Sequence, residues 1–338
     1  MLSAESVESG CSNEDSRPEV PHVCEDEEFW FTDGNVILVS GETSFRVHQG
    51  VVSRHSEVFR DLFSVPQPEN EEKRFGCPVI CLSDSPIDLR YLLRVLYDGR
   101  KYYLKRREEQ LELAEVAALV GLAQKYQIED LREDGILRLK TCFTDKFDVW
   151  EDILNKSQAS YSSTLMRFRP TDAIAAVDLA HRTDTLSMLP IALYLCCTLE
   201  SSYLIRGVTR ADGTVERLSP EDLERCLDAR TYLLNRNISM NQQIYGATSP
   251  SCSDRSRCSI ILERASAHRV MNSVGAKAHH VLRSTDEFAE SLVRSFSLCR
   301  ECLALIKSRD LIARRTVWNE LPTFFGLTIP DWNRDIDQ

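Results

Sequence analysis

No stretch of the 338-residue chain approaches the roughly 20 consecutive apolar residues that a helix needs to cross a bilayer, so no membrane partner is expected. Basic charge is also short. The 41 Lys and Arg stand against 52 Asp and Glu, for a net charge of −11. That balance argues against a nucleic-acid partner, because proteins that grip the phosphate backbone displace its counterions with lysine and arginine. The first residues lack the basic-then-apolar pattern of a secretory signal, so a cytoplasmic and/or nuclear location is expected. Twelve cysteines fall below the density of a disulfide scaffold, and in a reducing compartment they read as buried thiols or metal ligands. Enzyme signatures are missing as well: no Gly-x-Ser-x-Gly elbow, no His-Glu-x-x-His pair and no kinase motif set occurs. Gly41-Glu42-Thr43-Ser44 follows a strand pattern without the Gly-Lys-Ser/Thr ending that cradles phosphate, and reads as a hairpin turn. The chain is expected not to be an enzyme.

What is present is the composition of a folded protein, 43% hydrophobic and 28% charged, long enough for about two domains at roughly 150 residues each. Residues 1–28 stand apart. They carry nine acids and one base with almost no large apolar groups, so they read as a disordered acidic leader that cannot bury enough surface to offset ordering.

From Phe29 the pattern changes. Val36-Ile37-Leu38-Val39, a Gly41 turn and Phe45-Arg46-Val47 predict a hairpin whose first strand is buried on both faces. His55, Val58, Phe59 and Leu62 fall at i, i+3, i+4 and i+7, predicting one helix with Ser56 in its middle. A third strand is predicted at 79–82. Ser85-Pro86 then opens a helix with the stripe Leu89, Leu92, Leu93 and Leu96, closed by Gly99. Two further helices follow, one carrying Leu119, Leu122, Ala123 and Tyr126 and one spanning 128–143. The fold class is α+β: a three-stranded sheet that hides its apolar face beneath a helical cluster.

Several ordered motifs resemble the BTB (POZ) domain. They are Asp33-x2-Val36-x-Leu38-Val39, then Phe45-x-Val47-His48-x3-Val52-x2-His55-Ser56-x2-Phe59-x2-Leu62-Phe63. Leu92-Leu93-x2-Leu96-Tyr97-Asp98-Gly99 and Leu119-x2-Leu122-Ala123-x2-Tyr126 continue the likeness. The resemblance assigns 29–143 to a BTB domain with its core motif at 33–105. It implies a protein-interaction module that commonly forms a homodimer and in some branches docks a cullin scaffold for ubiquitination. The chain lacks the repeated Cys and His spacing of C2H2 fingers and the glycine-paired repeats of kelch propellers. His48 is expected to be structural, bonding neighbouring backbone while its ring packs on the core. Tyr97, Tyr102 and Tyr103 are the candidate interaction surface, since tyrosine supplies contact area with a polar tip. The basic and aromatic run 101–107 reads as a solvated loop.

Residues 145–338 predict a mostly α-helical region, with Asp172 and Ser219-Pro220 opening helices, Pro190 at a helix start or kink, and 206–217 an exposed loop. The tail at 318–332, with Trp318, Leu321-Pro322, Phe324-Phe325-Gly326-Leu327 and Trp332, is similar to the ending of BTB proteins expanded in mushroom-forming (basidiomycete) fungi. Its aromatics read as a buried strap, with a partner-binding patch as the alternative. Cys252-x5-Cys258 and Cys299-x2-Cys302 read first as buried free thiols, because the first spacing is loose for a zinc knuckle and the second pair sits three apart on a helix. A four-thiolate zinc site is the alternative, and no other cofactor is expected. The reading is therefore a protein-interaction adaptor, with a zinc-stabilised structural or transcription-associated regulator as the alternative.

Overall fold

The computed structural model describes residues 24–65, 73–99, 110–156, 161–272 and 278–333. Most of the expected leader, the loop 66–72, the run 101–107, and Tyr102 and Tyr103 with it, lie outside the described residues. The described residues form two compact units, 24–49 with 73–86, and 50–65 with those between 87 and 333. The boundary expected at 143–145 falls inside the second unit.

The first unit is a sheet. Strands β2 (Val36–Ser40) and β3 (Thr43–Val47) form the expected antiparallel hairpin, with Val36 opposite Val47. Gly41 turns the chain at φ +52°, a conformation that a side chain would strain. Strand β5 (Cys77–Leu82) lies parallel to β2, whose Val36, Ile37 and Leu38 are fully buried. The sheet has five strands rather than three, in the order β1-β3-β2-β5-β4. One addition is β4 (Lys73–Arg74), too short to leave a periodic signal. The other is β1 (Cys24–Trp30), parallel to β3, which takes in Cys24–Glu28 from the expected leader. Its pattern was hidden by an irregular register between Glu25 and Trp30, which turns Asp26 and Phe29 inward. The Asp26 carboxylate accepts the Glu28 and Phe29 amides at 3.0 and 2.9 Å, satisfying donors that the ladder would otherwise leave free.

In place of one helix over the His55 to Leu62 stripe there are two, α1 (Gln49–His55) and α2 (Glu57–Ser64). Ser56 separates them as the N-cap of α2. Its Oγ accepts the Phe59 amide at 3.1 Å and donates to the Tyr126 carbonyl at 2.6 Å, so it does not sit mid-helix. His55 is exposed and leaves the core stripe. Helix α3 (Pro86–Asp98) buries its four leucines and stops at Gly99, φ +50°. Ser85 Oγ, expected to cap it, finds no hydrogen-bond partner among the described residues. Helices α4 (Leu113–Lys125) and α5 (Glu129–Lys140) pack as a hairpin. Their approach requires Gly135, where an added Cβ would lie 2.3 Å from Val120 Cγ2.

The hairpin shares a core with the helices that follow: α6 (Phe147–Lys156), α7 (Ala173–Arg182), α8 (Leu189–Cys197), α9 (Ser201–Arg206), α10 (Pro220–Tyr245), α11 (Arg255–Asn272), α12 (Asp286–Phe296) and α13 (Arg300–Phe324). Every residue of α8 is buried, and its Pro190 sits in the first turn, where no amide donor is needed. Ser219 caps α10 as expected, accepting the Asp222 amide at 3.0 Å. The Asp172 side chain does not cap α7; it accepts the Arg169 amide at 2.8 Å. Short strands interrupt the helices, contrary to expectation. β6 (Leu111–Glu112) and β7 (Tyr161–Ser162) flank β8 (Met166–Phe168). The expected loop at 206–217 folds as a hairpin of β9 (Val208–Thr209) and β10 (Val215–Glu216).

Glu115, in the first turn of α4, is the buried acid whose titration has a measurable consequence. Burial pushes its carboxyl up to about 7, against the pull of Arg94 and Arg138. The folded protein then keeps a proton that the unfolded chain releases above about 4.5, so stability falls as pH rises from about 4.5 to 7. Glu115→Gln is expected to unfold at higher urea than the parent at pH 8, by roughly 1–3 kcal/mol, and to match it at pH 4. Equal midpoints at pH 8 would remove Glu115 from the account.

Candidate functional site

The residues singled out by motif separate into buried and surface groups. Phe45, Val47 and Phe59 are fully buried; Leu62 and Phe63 are half-buried on α2, with the Phe63 ring 6.0 Å from Phe59. The Phe59 ring stacks at 4.2 Å on Tyr126, so α2 and the α4–α5 connection meet through that ring pair and the Ser56 hydroxyl. His48 closes β3. Its Nε2 lies 3.3 Å from the Asp33 carboxylate, a partner the spacing in sequence did not suggest, and its ring lies 5.1 Å from Phe31. The His48 hydrogen bond holds the exposed Asp33 carboxyl below its ordinary value. Tyr97 is half-buried on α3, so of the expected tyrosine surface only this member is placed.

The cysteine pairs come together. The four sulfurs of Cys252, Cys258, Cys299 and Cys302 lie within 4.8 Å of one another, with Cys252 Sγ and Cys299 Sγ 3.7 Å apart. Cys252 stands in the connection between α10 and α11, and Cys258 in the first turn of α11. Cys299 is the N-cap of α13, not a helix-interior residue, and Cys302 lies in that helix's first turn. Cys258 and Cys302 are buried; Cys252 and Cys299 reach the surface. The local sequence explains the placement: Asp254 accepts the Arg257 amide at 3.0 Å and starts α11, and Ser297, left-handed at φ +61°, ends α12 and redirects the chain into α13. A start signal at Asp254 was therefore present in the sequence. What sequence did not reveal was that Cys252 and Cys299, 47 residues apart and each at or just before a helix start, converge.

Backbone amides aim at the sulfurs. Ser249 donates to Cys302 Sγ at 3.3 Å, the Cys299 amide serves Cys258, and the amides of Cys302 and Ser253 serve Cys299. Burial pushes Cys302 up to about 12 and raises Cys258. Burial acts on Cys299 too, but the Cys302 amide and the neighbouring thiols hold it below its ordinary value. By contrast, Cys77, Cys142, Cys196, Cys197 and Cys226 are buried free thiols. His279 and His280 stand at a short 3-10 turn, both half-buried.

Comparison with known families decides the first unit and the helices after it. Residues 30–136 match the BTB/POZ domain. The match ends near the close of α5, and α6 to α13 lie outside it. No curated protein matches the chain. No solved structure matches it. The BTB domain thus contains His48, Asp33, the Ser56 cap and Tyr97, whereas the four-cysteine cluster lies outside it. BTB domains mediate protein–protein interaction and dimerisation, so the domain at 30–136 supports a protein-interaction adaptor role in general. Among the described residues no helix is long and apolar enough to cross a membrane.

Proposed function

We propose that the chain is a two-ended adaptor, in which the BTB domain docks a cullin-type scaffold and the helical region from α6 to α13 holds a second protein for ubiquitination. The observation that carries this reading is the BTB match over 30–136, followed by some two hundred residues with a large helical core. A homodimer is the other use to which BTB domains are put. Among the described residues β1 is an edge strand, and it exposes Glu25, Glu27 and Glu28. Two such edges repel, which disfavours self-association by pairing β1 with a second β1.

Light scattering on the chromatographed full chain, alone and with the amino-terminal domain of a cullin, tests it. The expected result is a 38.6 kDa species that gains the mass of one cullin domain. A species of twice that mass that ignores the cullin would replace the scaffold reading with a self-associating BTB adaptor. The second reading, a zinc-stabilised regulator, is favoured by the four-thiol cluster alone, and the metal in it does not conflict with an adaptor.

A further inference from the structure

We propose that Cys252, Cys258, Cys299 and Cys302 hold one zinc ion in a closed, structural site that fastens the α10–α11 connection to the start of α13. The inference does not depend on the BTB reading, since all four residues lie outside that domain.

The geometry is close to that of the metal. Zinc–sulfur bonds of about 2.3 Å in a tetrahedron put the sulfurs about 3.8 Å apart. Cys252 and Cys299 already stand at 3.7 Å, and the widest of the six separations is within 4.8 Å, so closing the site needs movement of an ångström or less. A separation of 3.7 Å is far beyond a sulfur–sulfur bond, and all four cysteines are free. The donor set fits too. Four thiolates around a divalent cation leave a net charge of −2, which needs local positive potential. Cys258 lies in the first turn of the 18-residue α11, and Cys299 and Cys302 lie at the start of the 25-residue α13, where helix dipoles present their positive ends. The amides of Ser249, Ser253, Cys299 and Cys302 add hydrogen bonds to sulfur, the outer contacts that orient metal ligands. Four sulfurs fill the coordination shell and leave no position for water, so the site is structural and not catalytic. Cys252 and Cys299, half-buried, give the ion a way in. Binding would close a loop that contains α11 and α12, making their docking metal-dependent.

The test is metal analysis of the full chain purified without chelator. About one zinc per chain is expected, retained by Cys81→Ser, whose thiol is exposed and remote in sequence, and reduced at least tenfold in Cys299→Ser and in Cys302→Ser. Because those variants can lose metal by misfolding, the parent chain is also stripped with chelator and titrated with cobalt. One equivalent should produce the thiolate charge-transfer and tetrahedral ligand-field bands of a cobalt–sulfur site. Hydrogen exchange should then show faster amides at 246–260 and 297–303 in the stripped protein and unchanged amides at 36–47. A folded chain that is metal-free and takes up no cobalt overturns the proposal. So does an iron-loaded protein, since the same four thiolates suit iron as well.

Discussion

Arg314→Met is expected to cost about 3–5 kcal/mol of the helical region's stability, a large part of the 5–15 kcal/mol that folded domains typically have. The Arg314 guanidinium is 4% exposed and its Nε donates to Asp310 Oδ2 at 2.7 Å; Asp310 is 1% exposed. Its Nη1 bonds Glu151 on α6, and Asp310 also accepts the Thr285 hydroxyl at 2.9 Å. Removing the arginine leaves the Asp310 carboxylate buried with the Thr285 hydroxyl but without its cation. That residual charge, more than the lost attraction, sets the cost. The double variant Arg314→Met with Asp310→Asn should therefore recover most of the loss, since a neutral amide in place of the carboxylate keeps a hydrogen-bond acceptor for Thr285. Urea unfolding followed by circular dichroism measures both. A single variant within 1 kcal/mol of the parent, or a double variant no better than the single, would show that the triad is not a stability determinant.

The second large effect is expected at Trp318. The indole is fully buried in α13, with ring centroids 5.8 Å from Phe147, 6.1 Å from Trp150 and 5.2 Å from Trp332. Trp332 Nε1 donates to the Trp318 carbonyl at 2.8 Å, so the tail folds back as a strap, the first of the two readings of its aromatics. Trp318→Ala should cost about 3–5 kcal/mol through the cavity it leaves. Trp318→Phe should cost much less. Trp318 Nε1 is buried without a hydrogen-bond partner among the described residues, so phenylalanine gives up area but also removes an unsatisfied donor. Thermal unfolding that ranks phenylalanine as low as alanine would contradict this account.

How far the sequence could be read follows from the range of each interaction. The β2–β3 hairpin, the α3 stop at Gly99 and the Ser219 cap depend on residues a few positions apart, and all were legible. Ser56 was not, because an apolar period runs through it unchanged, while its hydroxyl, besides capping α2 at the Phe59 amide, is anchored on the Tyr126 carbonyl 70 residues away. The acids of β1 obscured a strand whose register is irregular. Burial of single cysteines could be anticipated from composition. Their convergence could not, since Cys-x5-Cys and Cys-x2-Cys meet only after α11 and α12 have folded between them.

The strap has a consequence for the order in which the protein can be finished. Phe147 donates its amide to Asn333 Oδ1 at 3.1 Å, and Asn333 returns an amide to the Asp145 carbonyl, across 186 residues of sequence. At about 5–20 residues per second a ribosome needs roughly ten to forty seconds to traverse that interval. Throughout it Phe147 and Trp150 have emerged without the indoles that shield them. The nascent chain therefore passes through a stage in which the aromatic face of α6 is made but not yet covered, the kind of transiently exposed apolar surface that invites association with other chains.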